Sequence, residues 1–491
     1  MYEFLRIALL NVFDPVTLIA IATGVTIGII IGALPGLSAT MGVSLLLPIT
    51  FGMDPSVGIP MLMALYCGAM YGGSISAILI HTPGTPAAAA TCLDGYPMAR
   101  RGEGGIAIGF SLIASFCGGI FSALALLFIA PPLSKISLLF GPPEYFCMGV
   151  LGLSLIGTIS QKNWVKGLMS GSIGLFIATI GMDLLRGIPR FTFRNLNLLS
   201  GVPLVILLIG LFSVSQALIM IEKKITENVQ ALKISGKILP SISELLKIKK
   251  TILRSSILGT IVGAIPGTGG GLATWVGYNE AQRNSKDSHL FGTGIPEVVA
   301  ASEAANNAVT GGALIPLLTL GIPGSSCTAV VLGGLLVHGL RPGPKFMTEY
   351  GDLSFTLIIS LFVANIFMLL IGYLFARAGV YITKVKDEVL APIIIVLSII
   401  GAYAIGNSMF DVQLMLFFGL IGYVMRKFKF PMAPIVLGCI LGPIAETGLN
   451  QSLLISRGSL SIFMTRPISL ILLILSVLSL GSAIYKDIKS K

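Results

Sequence analysis

The sequence predicts an all-α polytopic membrane protein, and three observations lead to this fold class. Hydrophobic residues make up 54% of the 491 positions and charged residues only 11%, whereas soluble domains carry about 25% charged residues. Charge-free stretches recur at about the length of one bilayer crossing, and they are continuously apolar, unlike the alternating strands of a membrane barrel. Helix-breaking Pro-Gly pairs recur at matching places in the two halves of the chain.

The apolar stretches divide the chain into helical elements. Six of them are free of charged residues and close to one span in length: 16–34, 105–130, 198–221, 353–376, 389–410 and 467–485. Two longer charge-free stretches, 55–93 and 304–340, exceed a single crossing of about 20 residues and are interrupted by glycine and proline. Together they predict about twelve transmembrane or re-entrant helical elements.

The charges separate two halves. The net charge is +11, but the basic residues lie between spans, as retention on the cytoplasmic side requires, so nucleic acid is not an expected partner. The strongest basic cluster, 222–254, is predicted to be a cytoplasmic linker between an N-terminal half (1–221) and a C-terminal half (255–491). Within the linker, Ser241 and Glu244 have the spacing of a capping box that opens a short helix.

The two halves are predicted to be copies of one unit. The segment 32–38 (GALPGLS) is echoed by 263–269 (GAIPGTG), and a second pair of breaks, Pro83-Gly84 and Pro323-Gly324, follows a Gly-Gly in each half. A weaker match joins 153–157 to 397–401. Whether the copies are inverted depends on the number of spans per half, which the sequence does not give; transporter precedent favours inversion.

The four breaks are the predicted substrate site. In lipid, interrupted backbone is tolerated only where protein or a wet cavity satisfies the freed N–H and C=O groups. A resumed helix offers free N–H groups that suit a carboxylate, and unwound carbonyls with hydroxyl side chains suit a cation such as sodium. The predicted substrate-binding residues are Gly36, Leu37, Ser38, Thr40, Gly84, Thr85, Gly267, Thr268, Gly269, Gly324 and Ser325.

Polar residues within apolar runs are the predicted ion site, because such side chains are costly at membrane depth. The predicted ion-binding residues are Asn306, Asn307, Ser326 and Thr82. Interhelical hydrogen bonding is the alternative role for the two asparagines. Glu297 and Glu303 abut the same apolar run, and we expect both glutamates at the water boundary. Asp94, in an Asp-Gly-Tyr-Pro segment, is predicted to lie in a turn.

Several other chemistries find no support in the sequence. Six cysteines are scattered without the paired spacing of metal sites or disulfides, so neither is expected. A phosphate-binding Gly-Lys-Ser/Thr loop is missing, which argues against ATP-driven transport by this chain. We find no nucleophile–base arrangement and predict no catalytic residues, no metal and no cofactor; the protein is not expected to be an enzyme.

The residues of the breaks resemble the TctA family, the large membrane subunit of the tripartite tricarboxylate transporters. The similarity extends over almost the whole chain and is most specific at 32–48, 66–102, 263–278 and 303–344. It implies a secondary, cation-coupled importer of small organic carboxylates, in particular tricarboxylates such as citrate, in the bacterial inner membrane. Sodium or protons would be the coupling ion. The implied partners are a TctB-type small membrane subunit and a TctC-type periplasmic binding protein, besides the lipid bilayer.

Three alternatives remain open at this stage. A passive organic-anion channel would also use broken helices, but its uptake would stop at electrochemical equilibrium. A stand-alone permease would work without partner subunits. A structural or signalling membrane subunit would not transport at all.

Overall fold

The computed structural model describes residues 2–154, 164–183, 187–222, 237–382, 385 and 387–490, and most of these residues are helical. Before the linker the helices are α1 (Tyr2–Val12), α2 (Pro15–Ala33), α3 (Ala39–Thr50), α4 (Pro55–Ile80), α5 (Thr91–Met98), α6 (Gly104–Ser137), α7 (Pro142–Ser154), α8 (Trp164–Ala178), α9 (Leu204–Leu208) and α10 (Ser215–Glu222). After it they are α11 (Ile242–Ala264), α12 (Gly269–Asn284), α13 (Pro296–Gly312), α14 (Leu314–Leu320), α15 (Ser326–Val337), α16 (Phe346–Glu349), α17 (Gly351–Ile382), α18 (Asp387–Gly406), α19 (Met409–Lys427), α20 (Ala433–Ile455), α21 (Ile462–Thr465) and α22 (Pro467–Ser490). Other regular elements are 3-10 turns at Pro86–Ala88, Leu196–Leu198 and Ser288–Leu290, π-helical turns at Ala99–Glu103 and Ile209–Val214, and a two-residue antiparallel pair, β1 (Gly181–Met182) with β2 (Pro189–Arg190).

The described helices make this a multi-pass membrane protein. Eight are long and apolar enough to cross a membrane: Pro15–Ala33, Pro55–Ile80, Thr91–Ser137, Leu204–Glu222, Gly351–Arg377, Glu388–Gly406, Met409–Lys427 and Ala433–Ile455. Four shorter apolar helices accompany them: Ala39–Thr50, Val165–Ala178, Ser326–Val337 and Pro467–Ser479. The count of about twelve elements stays a prediction.

One predicted span ends earlier than its composition suggests. The apolar stretch 389–410 contains a break, because α18 ends at Gly406 and α19 begins at Met409. Asn407 has a φ of 48°, in the left-handed region that ends helices, and the Ser408 side chain accepts the backbone N–H of Phe410 as the next N-cap.

The linker is described from residue 237 onward, and its segment 223–236 lies outside the described residues. The predicted capping box is confirmed: the Glu244 carboxylate accepts the Ser241 N–H at 2.7 Å, and the Ser241 hydroxyl accepts the Glu244 N–H at 3.4 Å. It opens α11, which is longer than the short helix expected. Of the weaker repeat match, 155–157 also lie outside the described residues.

The chain forms two compact units. Unit 1 comprises Met1–Leu133 and Gln216–Leu397, and unit 2 comprises Ser134–Ser215 and Ser398–Lys491. Each unit therefore combines a segment from early in the chain with one from late in the chain. All four Pro-Gly pairs belong to unit 1.

Glycine stripes hold the centre of unit 1 together. On α2, a Cβ at Gly24, Gly28 or Gly32 would collide with the backbone carbonyls of Met61, Leu65 and Ala69 on α4. The equivalent close approach between α11 and α13 places Gly259 against the backbone of Ala305 and Gly263 against that of Val309. Small residues let membrane helices approach at backbone distance. Helices α4 and α13 are consequently enclosed, and they are the buried centre on which the site is built.

Unit 2 uses the same kind of packing. Gly174 on α8 lies against the backbone of Ile435 on α20, and Gly149 on α7 lies against Ala445. The buried carboxylate of Glu144 accepts bonds from the Arg466 side chain and the Ser469 hydroxyl, each at 2.7 Å, which fixes α22 on α7.

Candidate functional site

Each Pro-Gly pair lies in a break between two helices. Proline removes a backbone donor, and at Gly36 and Gly267 the glycine has a positive φ that redirects the chain. Before the pairs at Pro83 and Pro323, the preceding helices already end in the left-handed region, at His81 (φ 54°) and Gly321 (φ 75°). The first break of each half has the same geometry: the C-cap residues Leu34 (φ −83°, ψ 117°) and Ile265 (φ −82°, ψ 116°) are followed by Gly36 (φ 85°) and Gly267 (φ 81°).

The break at Pro35 opens α3. The Ser38 hydroxyl caps this helix by accepting the Met41 N–H at 3.2 Å, and Thr40 lies near Cys327 on α15. Gly36 is exposed at the loop. The Leu37 side chain does not point into the break, since it is 3% exposed and packs in a hydrophobic cluster with Leu34 and Met41. Leu37 can therefore offer a ligand only its backbone.

The break at Pro83 folds back against α2 and α4. Gly84 donates its N–H to the Gly73 carbonyl at 3.2 Å, and a Cβ at Gly84 would collide with the Gly32 carbonyl. Thr85 is 2% exposed, and its hydroxyl has no hydrogen-bond partner among the described residues. Thr82 is half-buried and donates to the Ile80 carbonyl at 3.3 Å. Thr85 is thus the side chain of this loop that is left available for a ligand.

The two breaks of the second half are tied to each other. Gly267 donates its N–H to the Gly324 carbonyl at 2.9 Å. The Thr268 hydroxyl turns back to the end of α11, where it reaches the carbonyls of Val262 at 2.5 Å and Ile265 at 3.0 Å. It therefore caps a helix end and leaves the start of α12, at Gly269, without a side-chain cap.

The break at Pro323 opens α15. Ser325 caps this helix in a box with Thr328, accepting the Thr328 N–H at 3.2 Å while Thr328 accepts the Ser325 N–H at 2.8 Å. The Ser325 hydroxyl also lies 3.4 Å from the hydroxyl of Tyr66 on α4. Ser326, the next residue, is half-buried.

The breaks of one half lie beside those of the other. Helix α3 packs against α15, and α12 packs against the 3-10 turn Pro86–Ala88. A Cβ at Gly270 would lie 3.0 Å from that of Ala87 and 3.0 Å from the Asn306 amide oxygen. The starts of α3, α12 and α15 thus come together around α4 and α13. Free N–H groups at these starts, with the hydroxyls of Ser38, Thr85 and Ser325 nearby, suit an anion such as a carboxylate.

A polar cluster, which we call the α13 cluster, lies next to these breaks: Glu303, Asn306 and Asn307 on α13, Thr91 on α5 and Ser115 on α6. All five residues are buried. Thr91 donates to one carboxylate oxygen of Glu303; Ser115 and the Asn306 amide donate to the other, each at 3.4 Å. Asn307 donates to Ser115 at 2.8 Å, and Asn306 also donates to the Met70 carbonyl at 3.1 Å. Residues 303, 306 and 307, at positions i, i+3 and i+4, thus share one face of α13.

The two glutamates occupy different environments. Glu297 is half-buried near the start of α13, where it accepts the hydroxyls of Thr251 at 2.6 Å and Ser285 at 2.8 Å. Glu303 is fully buried, so its expected place at the water boundary is wrong. Its spacing from the asparagines, Glu-x-x-Asn-Asn, was the signal in the sequence, because positions i, i+3 and i+4 share a helix face.

Asp94 is a second residue whose role the sequence did not indicate. It is not in a turn but inside α5, fully buried. Its carboxylate accepts the backbone N–H groups of Gly292 at 3.0 Å, Gly294 at 2.8 Å and Ile295 at 3.0 Å. Arg101 adds bonds to the Thr293 carbonyl at 2.6 Å and to that of Gly294. The tertiary partner, the loop before α13, keeps this segment helical.

Fold and site define a multi-pass helical membrane protein with interrupted helices around a buried polar centre. Within the described residues, no group of three or more His, Cys, Asp or Glu side chains is placed to hold a metal ion. The sequence matches the family described as the tripartite tricarboxylate transporter TctA family over residues 18–437. The chain belongs to the TctA family.

Two relatives from Agrobacterium vitis are similar to it. An uncharacterised 52.8 kDa protein in the TAR-I ttuC' 3' region is 35% identical over 477 residues, which are 97% of this chain and 95% of the relative. An uncharacterised protein in the TAR-II ttuC' 3' region is 35% identical over 233 residues, 48% of this chain and 96% of that relative. No solved structure matches the chain.

Proposed function

We propose that the protein is a secondary active, cation-coupled importer of small organic carboxylates, in particular tricarboxylates such as citrate. One observation carries this proposal. Helix starts from both halves, those of α3 and α15 with side-chain caps and that of α12 without one, meet beside the buried α13 cluster. The chain in which they meet belongs to the TctA family. The starts supply donors for carboxylate oxygens, and the cluster supplies oxygen atoms for a cation.

The roles of individual residues follow from their positions. Gly36, Gly267 and Gly269 leave backbone partly or fully exposed at the breaks, whereas Gly84 and Gly324 are buried and hold the breaks in place by backbone hydrogen bonds. Ser38, Thr40, Thr85 and Ser325 add hydroxyls for substrate. Leu37 and Thr268 contribute backbone groups, since their side chains are engaged elsewhere. Asn306 and Asn307 are the strongest cation ligands; Ser326 and Thr82 are weaker candidates, because only their half-buried positions support them.

An internal duplication is part of the proposal. The matching dihedral angles at the breaks of Pro35 and Pro266 support it, as does the reciprocal packing of α3 on α15 and of α12 on the turn Pro86–Ala88. The early and late halves also each contribute one segment to unit 1 and one to unit 2. Inversion of the copies rests on transporter precedent.

The family supports further assignments at the level of the cell. We propose that the protein is the large permease subunit in a bacterial inner membrane and works with a TctB-type small membrane subunit and a TctC-type periplasmic binding protein. A hundredfold accumulation costs ~2.7 kcal/mol, and each net positive charge moved inward across 100 mV supplies about 2.3 kcal/mol. For a trianion such as citrate, more than three monovalent cations must accompany the substrate before the membrane potential drives uptake; with fewer, the concentration gradient of the ion is the driving force.

Uptake into vesicles tests the proposal. The protein, with its proposed partner subunits, is reconstituted and given labelled citrate and related carboxylates, with and without an inward sodium or proton gradient. Accumulation above electrochemical equilibrium that disappears with the gradient supports the proposal. Uptake that stops at equilibrium under every gradient identifies a passive channel, and accumulation without the partners identifies a stand-alone permease. Absence of any uptake leaves the structural-subunit alternative.

A further inference from the structure

Glu303 is a buried carboxylate whose partners are all neutral. It is 0% exposed, and its oxygens accept bonds from the hydroxyls of Thr91 and Ser115 and from the Asn306 amide. No Lys, Arg or His among the described residues donates to it. A buried charge without an opposite charge is strongly disfavoured in a protein interior and in a membrane. This site therefore requires a positive charge when the carboxylate is ionised.

The helices packed around α13 do not supply that charge. The titratable side chains that interact with Glu303 are Tyr71 on α4 and Cys92 on α5, and neither is a cation. Asp94, two residues further along α5, is held by the loop before α13. On α11 and α12, Arg254 and Glu280 pair with each other at 4.0 Å.

Oxygen atoms for a bound cation are present beside the carboxylate. Asn306 uses its amide nitrogen on Met70 and Glu303, and Asn307 uses its amide nitrogen on Ser115. The amide oxygens of both asparagines are buried and have no hydrogen-bond partner among the described residues. Two unpartnered oxygens within one helical turn of an unpaired carboxylate are an acceptor-rich site, which is what a small cation needs.

One side chain, Asn306, links the α13 cluster to the Pro-Gly breaks that are proposed to bind substrate. The Asn306 amide nitrogen lies 3.4 Å from the Glu303 carboxylate, and its amide oxygen faces Gly270 at the start of α12. Neutralising Glu303 weakens the bond that it accepts from the Asn306 amide. Asn306 is therefore the side chain that joins the carboxylate to the helix start where an anion would bind.

We propose that Glu303 is the coupling residue of the transporter: in each cycle its carboxylate is neutralised by a single positive charge, one proton or one sodium ion, with the amide oxygens of Asn306 and Asn307 beside it. The assignment rests on the proposed function and adds a residue to it. Under this proposal, unit 1 completes the transport step only while Glu303 is neutral, because an unpaired buried charge costs too much free energy.

The variant Glu303→Gln isolates this step, because an amide is permanently neutral and nearly isosteric. In reconstituted vesicles, labelled citrate is followed in two modes: exchange with equal pH and sodium on both sides, and accumulation driven by a gradient. We expect Glu303→Gln to keep exchange and to lose gradient-driven accumulation by about tenfold or more. A pH gradient without sodium and a sodium gradient at equal pH distinguish the two cations. Glu297→Gln, on the same helix at its half-buried start, is the matched control and should retain both modes.

Three results overturn the assignment. The first is wild-type accumulation in Glu303→Gln, and the second is equal loss of exchange and accumulation in a folded variant. The third comes from the unfolding temperature of the purified protein. We expect sodium or acidification to change this temperature in the wild type but not in Glu303→Gln. If Glu303→Gln responds as the wild type does, the proposal is contradicted without any transport assay. If Glu303→Gln does not fold, Glu303→Asp replaces it, with an altered dependence on the driving ion expected and an unaltered one overturning the proposal. Absence of citrate uptake by the wild type, with the ion response intact, counts against the proposed substrate and not against Glu303.

Discussion

Gly267 donates its backbone N–H to the carbonyl of Gly324 at 2.9 Å, so the two breaks of the second half form one backbone-bonded structure. Neither bond partner is a side chain. The geometry therefore depends on how closely the backbones approach, which glycine permits and any Cβ opposes.

The first prediction concerns that approach. A Cβ at Gly324 would lie 2.5 Å from the Gly263 carbonyl oxygen and 2.6 Å from the Ala313 Cα. We expect Gly324→Ala to lower the free energy of unfolding by about 1–3 kcal/mol, as overpacking of a rigid site does, and to reduce uptake. Thermal unfolding in detergent measures the effect. Gly271→Ala is the control, because a Cβ there meets nothing within 4 Å; equal losses in both variants would contradict the prediction.

The second prediction concerns the start of α12. A Cβ at Gly270 would meet the end of the Met70 side chain at 2.5 Å and the Asn306 amide oxygen at 3.0 Å. The end of the Met70 side chain can move, but the Ala87 Cβ, 3.0 Å away, is fixed to the backbone, so we expect Gly270→Ala to be mildly destabilised and to weaken ion-dependent uptake by crowding Asn306. The concentration of sodium or protons giving half-maximal uptake should rise. The neighbouring Gly271→Ala should leave that concentration unchanged.

The third prediction concerns the cap of α15. Ser325 bonds to Thr328, and its hydroxyl lies 3.4 Å from that of Tyr66. Loss of an N-cap costs about 1 kcal/mol, so Ser325→Ala should be mildly destabilised and should also bind substrate more weakly. Tyr66→Phe removes only the second contact. A double-mutant cycle on substrate affinity measures their coupling, and strictly additive effects would show that the Tyr66–Ser325 contact is not used.

The fourth prediction concerns Asp94. Its carboxylate holds the N–H groups of Gly292, Gly294 and Ile295 in the loop before α13. Asp94→Ala leaves these groups without their acceptor, so their amide hydrogen exchange should become faster, and the α13 cluster should become less ordered. Asp287→Ala in the same loop is the control, because the hydrogen bonds described for Asp287 involve its backbone N–H and carbonyl and not its side chain. Unchanged protection at Gly294 in Asp94→Ala would count against the interpretation.

Backbone chemistry made the breaks predictable from the sequence. Pro and Gly act locally, so Pro35, Pro83, Pro266 and Pro323 lie between helices as their residue types require. The capping box at Ser241 was local in the same sense. The side chains at the breaks were harder to place, because hydroxyl and apolar groups can turn either way: Leu37 packs inward and Thr268 turns back to α11.

Residues that depend on tertiary partners were missed. The Glu-x-x-Asn-Asn spacing distinguishes Glu303 from Glu297 on the same helix, but this spacing does not show whether the shared face is buried. Burial of Glu303 follows from α5 and α6, which bring Thr91 and Ser115 from more than a hundred positions away in the sequence. Asp94 became helical for the same reason, since its partners lie in the second half of the chain.

The division of the chain into interleaved units has a consequence for biosynthesis. Unit 1 needs Gln216–Leu397 as well as Met1–Leu133, so it cannot close while the ribosome is still making the late segment. Until then Thr91 and Ser115 lie in the bilayer without their hydrogen-bond partners Glu303 and Asn307 on α13. Non-local contacts of this kind fold slowly and leave early segments exposed to misassembly. Insertion of this protein should therefore depend on cellular factors that shield its early helices from incorrect contacts until the late segment is made.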